Sequence, residues 1–233
     1  ANFHYVIPNR LVDLHSPTSP VTVQWWRSVG STHTAYAIEC FLDDIARGTK
    51  QDPVELRRKL LANQPRHLAV LNLAAEKASW GSALPAGRAR GVAVHECFGS
   101  VVAQVAEVTQ AADGSFKVDR IVSAVHCGLA VNPQIVAMQV ESSIGLGLGA
   151  AISGAITLKD GVVEQSNFHD YPVLRMHQMP AVEVHIVPST DKPTGIGEPG
   201  LPPAAPAVAN AIAALTGKPP RVLPFTASGV KFA

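Results

Sequence analysis

Apolar positions first recur at helical spacing between Ser31 and Gly48. Ile38, Phe41, Leu42 and Ile45 stand 3, 4 and 7 residues apart, which places them on one helix face. Gly48 predicts the end of that helix. Asp52-Pro53-Val54-Glu55 then reads as a second start, with an acid at the N-cap, proline at the first helical position and a carboxylate in the first turn. Leu56, Leu60 and Leu61 would line its buried side. A third amphipathic helix is predicted from Leu68 to Ala78, ending near Gly81. Residues 1–24 show no such period, and Pro8, Pro17 and Pro20 interrupt any helix there, so an irregular segment is expected.

The pattern changes after Pro85. Val101–Val108 and Phe116–Val125 are rich in β-branched residues and are separated by Asp113-Gly114, a hairpin turn signal. Asn132-Pro133 introduces a helix carrying Ile135, Val136, Gln139 and Val140, and glycines 145, 147 and 149 predict close packing near its end. Short strands are expected at 152–158 and 162–166, joined by Asp160-Gly161, and at 181–187. A Gly/Pro-rich loop spans 193–203, and the last helix runs from Ala204 to Leu215, stopped by Gly217 and Pro219. Helices and antiparallel hairpins in blocks, without strand–helix alternation, predict an α+β fold. Residues 25–233 read as one domain behind the irregular segment.

Composition supports a sizeable core: 47% of the 233 residues are hydrophobic and 16% charged. The formal net charge of +1 comes without any Lys/Arg run, which argues against a nucleic-acid or polybasic membrane surface. Cys40, Cys97 and Cys127 are odd in number and far apart, so neither a disulfide framework nor a cysteine metal cluster is expected on this chain. The most apolar stretch, Ile144 to Ile156, is short and glycine-rich for a membrane helix. The N-terminus lacks a secretory pattern and an initiator Met, so the chain is expected to begin inside a longer polypeptide or after processing.

Thr194-Gly195-Ile196-Gly197-Glu198-Pro199-Gly200 is the most unusual segment. Two glycines before a carboxylate open backbone paths closed to other residues, and Pro199 restricts Glu198 to extended conformations. Such a loop, stiff and next to an alanine-rich helix, suits a general base, although the same residues also fit a tight turn with a solvent-facing Glu. Trp25-Trp26-Arg27-Ser28-Val29-Gly30 offers a guanidinium that could meet an anionic or carbonyl oxygen, with tryptophans that could wall a flat substrate or join the core. Gln139 stands on a mostly apolar helix face and needs hydrogen-bond partners from the chain or from a polar cofactor. Cys127 reads as a reactive thiol or a small core residue. His95-Glu96 has no zinc-hydrolase spacing and reads as a structural or surface pair. No P-loop or GxSxG is present.

Several segments in order resemble one family. They are Trp26–Gly30, the helix through Glu39, Asp43 and Ala46, Asp52–Arg57, Trp80-Gly81, Gly91–Ala93, Phe98–Ser100, Cys127-Gly128, Val131–Pro133, Gln139–Glu141, Asn167–Tyr171 and Gly195–Gly200. Together they resemble the distal half of the molybdopterin-binding subunit of molybdenum hydroxylases, the xanthine dehydrogenase/aldehyde oxidase family. Within it they are nearest the isoquinoline 1-oxidoreductase beta subunit and membrane-associated aldehyde dehydrogenases. The resemblance implies hydroxylation of an aldehyde or N-heteroaromatic compound with water as the oxygen source. Glu198 would be the general base, Arg27 would orient substrate or stabilise charge, and Trp26 would belong to the substrate pocket. Gln139, Arg57 and Gly197 would lie on the cofactor side, with no protein side chain ligating the metal.

The implied cofactor is molybdenum–molybdopterin, in the cytosine dinucleotide form by likeness to bacterial relatives. Implied partners are a chain carrying the first half of the subunit, a 2Fe–2S subunit and a cytochrome c subunit. The compartment stays open between bacterial cytoplasm and periplasm, a membrane-associated complex included. The family's Gly-Gln-Gly cofactor loop is missing here, and His126 replaces the acid of its Asp-Cys-Gly. The chain alone is therefore not expected to hold the cofactor. A non-catalytic scaffold that kept the fold is the alternative.

Overall fold

A computed structural model describes residues 3–19 and 21–233. Residues 1, 2 and 20, part of the segment expected to be irregular, lie outside the described residues. Three helices come first: α1 (Ser31–Gly48), α2 (Pro53–Leu60) and α3 (Pro65–Lys77). Asp52 caps α2 as its sequence implies, its Oδ1 accepting from the N–H groups of Val54 at 2.8 Å and Glu55 at 3.0 Å. Helix α3 starts earlier than its apolar period suggests, because Pro65 is already at the first helical position.

Strands β1 (Arg88–Cys97), β2 (Ser100–Gln110) and β3 (Phe116–His126) form an antiparallel meander. After α4 (Pro133–Ile152) and a two-stranded hairpin of β4 (Leu158–Lys159) and β5 (Val162–Val163), strand β6 (Ala181–Ile186) joins β3 in parallel. Helix α5 (Ala204–Thr216) follows. The sheet order is β1-β2-β3-β6, and the fold is α+β. Strand β1 was not expected from the sequence. It pairs along its whole length with β2 through a two-residue turn, Phe98-Gly99, with φ of 51° and 77°.

Both faces of the sheet are covered, so the strands read as nearly continuous apolar runs instead of alternating ones. On one face Val92, Val94, Val101, Ala103, Val105, Val122 and Ala124 pack with Val70, Leu71 and Ala74 of α3 and Leu42 of α1. On the other, Ala93, Val102, Ala106, Ile121 and Val125 meet Val140, Ile144 and Leu148 of α4 and Val208, Ala211 and Ile212 of α5. Each such buried Val, Leu or Ile contributes about 1.5–3 kcal/mol.

Helix α4 has 20 residues and is long and apolar enough to cross a membrane by length and composition. Its buried stripe, however, forms one wall of the core. The expected strand 152–158 shrinks to Leu158–Lys159 because α4 continues through Ile152, and the hairpin residues beyond it are exposed.

The edge strand β1 is sealed by a buried polar network. Glu39 Oε2 accepts from the Val94 N–H at 2.9 Å and from Arg57 Nε at 2.9 Å, while Tyr5 donates to Glu39 Oε1 at 2.6 Å. Arg57 Nη1 reaches Asp43 Oδ1 at 2.9 Å, and Nη2 reaches the Glu39 carbonyl at 2.9 Å. Asn210 of α5 donates to Val92 O at 3.0 Å, occupying the edge carbonyl. Burial pushes the Glu39 and Asp43 carboxyls up, opposed chiefly by Arg57. Burial would lower the Arg57 guanidinium, but Glu39, Tyr5 and Asp43 outweigh it and hold the charge. Helix α5 then crosses β1 at Gly91, where a Cβ would stand 2.2 Å from both Ala207 O and Ala211 N.

Two substitutions test this packing. Gly91→Ala drives a methyl into the backbone of α5 and should cost about 1–3 kcal/mol or more in urea unfolding. Arg57→Met leaves Glu39 buried and unpaired and should cost about 3–5 kcal/mol. Wild-type midpoints for both would contradict the arrangement.

Candidate active site

The turn before α1 carries the first part of the site. Val29 N–H bonds Trp26 O at 2.8 Å, and Ser28 and Val29 adopt left-handed φ values of 74° and 49°. For non-glycine residues, one of them β-branched, this conformation costs on the order of 1–3 kcal/mol each. The turn aims Ser28 at the Glu198 loop. Ser28 N–H donates to Glu198 Oε1 at 3.1 Å, and Ser28 Oγ donates to the Glu198 carbonyl at 2.9 Å.

Arg27 ties that loop to α4. Its Nε donates to Gly197 O at 2.8 Å, and its Nη2 also reaches this carbonyl. Nη1 donates to Ser142 Oγ at 3.1 Å, and Nη2 to Gln139 Oε1 at 3.1 Å and Gln139 O at 3.3 Å. Little of the guanidinium's donor capacity is left for a substrate. Burial lowers its pKa, and the nearby Glu198 opposes that.

The loop itself is pinned from behind. A Cβ on Gly200 would lie 3.0 Å from Ser143 Cβ and 3.1 Å from Val140 Cα, so this glycine lets the loop sit on α4. Gln104, buried on β2, donates to Gly200 O at 2.7 Å. Thr194 N–H bonds Cys127 O at 2.9 Å, and the Thr194 and Ser100 hydroxyls are 2.7 Å apart. Gly195 and Gly197 do not use the left-handed backbone that their sequence suggested. Gly195 is instead confined by Phe98 Cβ, 3.3 Å from where its own Cβ would be, and Gly197 has nothing closer than Gln139 Oε1 at 4.0 Å.

Glu198 is thus fixed through one carboxylate oxygen. Among the described residues no group donates to its Oε2. The Ser28 turn also lines a cavity of about 430 Å³ together with Gly30, Ser31, Thr34, Cys97 and Phe98. Burial pushes the Cys97 thiol up, against a Ser31 hydrogen bond, and Glu198 adds to the rise. Cys127 is buried and raised mainly by burial, which supports the core reading of that thiol. His126 accepts at Nδ1 from Arg66 Nε at 3.2 Å.

Glu198, Arg27, Gln139 and Gly197 therefore come together. Trp26 is half-exposed and lines a separate pocket of about 220 Å³ with Gly145, Gly149, Tyr171 and Leu174. Arg57 corrects its expected cofactor-side place: it is fully buried and its donors are spent on Glu39, Asp43 and Pro53. Ser28, Ser142 and Gln104 complete the site and were not singled out in the sequence. Only Gln104, an amide inside the run Val101–Ala106, carried a signal.

Residues 64–180 match the molybdopterin cofactor-binding domain. The chain belongs to this family. It is 35% identical to isoquinoline 1-oxidoreductase subunit beta of Brevundimonas diminuta, over 95% of this chain and 29% of that protein. It is 30% identical to a membrane-bound aldehyde dehydrogenase of Gluconacetobacter polyoxogenes, named for pyrroloquinoline quinone, over 88% of this chain and 29% of that protein. The chain thus spans less than a third of the length of these relatives. Among solved structures, aldehyde oxidoreductase from Desulfovibrio gigas shares the fold at a TM-score of 0.65 and 14% identity, over 86% of this chain and 40% of that one.

The contacts behind the loop separate its glycines. Gly200→Ala should lower stability by about 1–3 kcal/mol, whereas Gly197→Ala should stay within about 0.5 kcal/mol. Equal effects in thermal or urea melts would contradict the packing described.

Proposed function

We propose that this chain supplies the general base to a molybdenum hydroxylase acting on an aldehyde or an N-heteroaromatic compound, and that the base is Glu198. The observation that carries the reading is the half-occupied carboxylate: Oε1 is held by the Ser28 N–H at 3.1 Å, while Oε2 has no donor among the described residues and is free to take a proton.

Residues fit for the cofactor lie beside it. Gln139 uses its Oε1 on Arg27, and its Nε2 donates to nothing among the described residues, so a polar cofactor edge can accept from it. Gly197 is exposed, with open space on its Cα. When bound, a molybdenum–pterin group supplies the two-electron redox chemistry of hydroxylation, with water as the oxygen source. Glu198 Oε2 receives the proton that this chemistry releases. Arg27 acts by positioning: by gripping Gly197 O and Gln139 it keeps the carboxylate at a fixed distance from α4. In this reading the rest of the molybdopterin-binding subunit, a 2Fe–2S subunit and a cytochrome c subunit complete the assembly, and the cofactor is the cytosine dinucleotide form.

The test is steady-state kinetics of the assembled enzyme with molybdenum measured in each preparation. Glu198→Gln should lower kcat by about 10²–10⁴-fold at unchanged molybdenum content. Arg27→Ala should lower kcat by about 10²-fold with a smaller change in KM, because it displaces the base and removes no substrate contact. Full activity of Glu198→Gln at equal molybdenum loading would overturn the assignment and favour a scaffold role.

A further inference from the structure

A second cluster of chemistry-bearing side chains lies apart from Glu198, on the sheet face covered by α3. His67 projects from α3 and Glu96 from β1, and His4 comes from the N-terminal segment. That segment is fastened just after His4: Tyr5 is buried on Glu39, and Val6 N–H bonds Leu60 O at 2.8 Å. His67 Nε2 is 3.4 Å and His4 Nε2 3.6 Å from Glu96 Oε2. The two imidazole rings are tilted by 35° to each other, with centroids 4.4 Å apart. One ligand atom from each residue lies within 4.8 Å of the other two.

His67 is only 4% exposed, and among the described residues neither its Nε2 nor the buried Nε2 of His4 makes a hydrogen bond. A buried imidazole nitrogen facing a carboxylate beyond hydrogen-bond geometry is costly unless something joins the groups. Tetrahedral zinc, with bonds of about 2.0–2.2 Å to His nitrogen and carboxylate oxygen, sets its ligand atoms about 3.3 Å apart. The two separations from Glu96 are close to that edge length.

We infer that His4, His67 and Glu96 form a zinc site that clips the N-terminal segment onto α3 and β1. Two imidazoles and one carboxylate make a recognised ligand set, with water in the fourth position. The site lies two residues before Phe98, which lines the cavity beside Glu198, so the clip braces the β1–β2 turn. His4, His67 and Glu96 follow no metal-binding spacing along the chain and meet only through the fold.

Zinc binding to the purified assembly tests this without reference to activity or molybdenum. The protein is stripped with chelator, dialysed, and titrated with zinc by calorimetry, with bound metal counted by mass spectrometry. The wild type should take up one more zinc per chain than His4→Ala or Glu96→Gln, whose affinity at this site should fall at least about tenfold. Cobalt in its place should give the visible bands of a tetrahedral site in the wild type alone. His4→Ala removes a side chain from an irregular segment, so it keeps the test decisive if Glu96→Gln fails to fold. No zinc above the buffer control in the wild type, or equal binding by wild type and His4→Ala, would overturn the inference.

Discussion

The buried carboxylate of Glu39 is the constraint on which the rest depends. It stands at the edge of the sheet, where an open strand would otherwise expose its N–H and C=O groups. By accepting from Val94, Arg57 and Tyr5 it joins β1, α2 and the N-terminal segment to α1. Asn210 brings in α5 through the neighbouring carbonyls of Glu39 and Val92. A buried ion pair is weak evidence of net stability, since desolvation offsets most of the attraction. Its value here is geometric, because each of its hydrogen bonds ties one of α2, β1 and α5 to α1 or to the strand edge.

That arrangement carries over to the site. Helix α1 follows the turn bearing Arg27 and Ser28, and α5 follows the loop bearing Glu198. Fixing the two helices against one strand brings together residues 170 positions apart in the chain. The contact is then sharpened locally by the left-handed Ser28-Val29 turn, by the Arg27 grip on Gly197 and by the close seat of Gly200 on α4. The left-handed Ser28-Val29 turn puts the Ser28 N–H on Glu198 Oε1, a donor that a relaxed turn would withdraw.

Much of this was legible in the chain. Helices α1, α2 and α5 and strands β2 and β3 follow from apolar period, caps and turn residues, because those signals are local. Strand β1 was not, since Arg88-Ala89-Arg90-Gly91 lacks alternation and its pairing rests on a turn at Phe98, an unusual residue for left-handed backbone. The stretch 152–158 misled because Ile152 is the buried end of α4, while Ile156 and Thr157 are exposed ahead of the hairpin, where no core face selects a strand. At the site, the Gly195–Gly200 loop pointed to Glu198, but Gly195 and Gly200 serve close contact and not φ, while Gly197 is open. Arg57 illustrates the limit of reading a residue by resemblance: its surroundings are set by Glu39 and Asp43, and only the fold shows that its charge is spent inside the chain.

In the proposed reading the free oxygen of Glu198 faces the redox centre while Arg27 holds the loop. The most direct measurement is an experimental structure of the complete, cofactor-loaded protein. Glu198 Oε2 should then be directed at the molybdenum with no protein donor between them, and Arg27 should still be bound to Gly197 O. A molybdenum seated away from this face, or a Glu198 carboxylate turned into a salt bridge elsewhere, would contradict it.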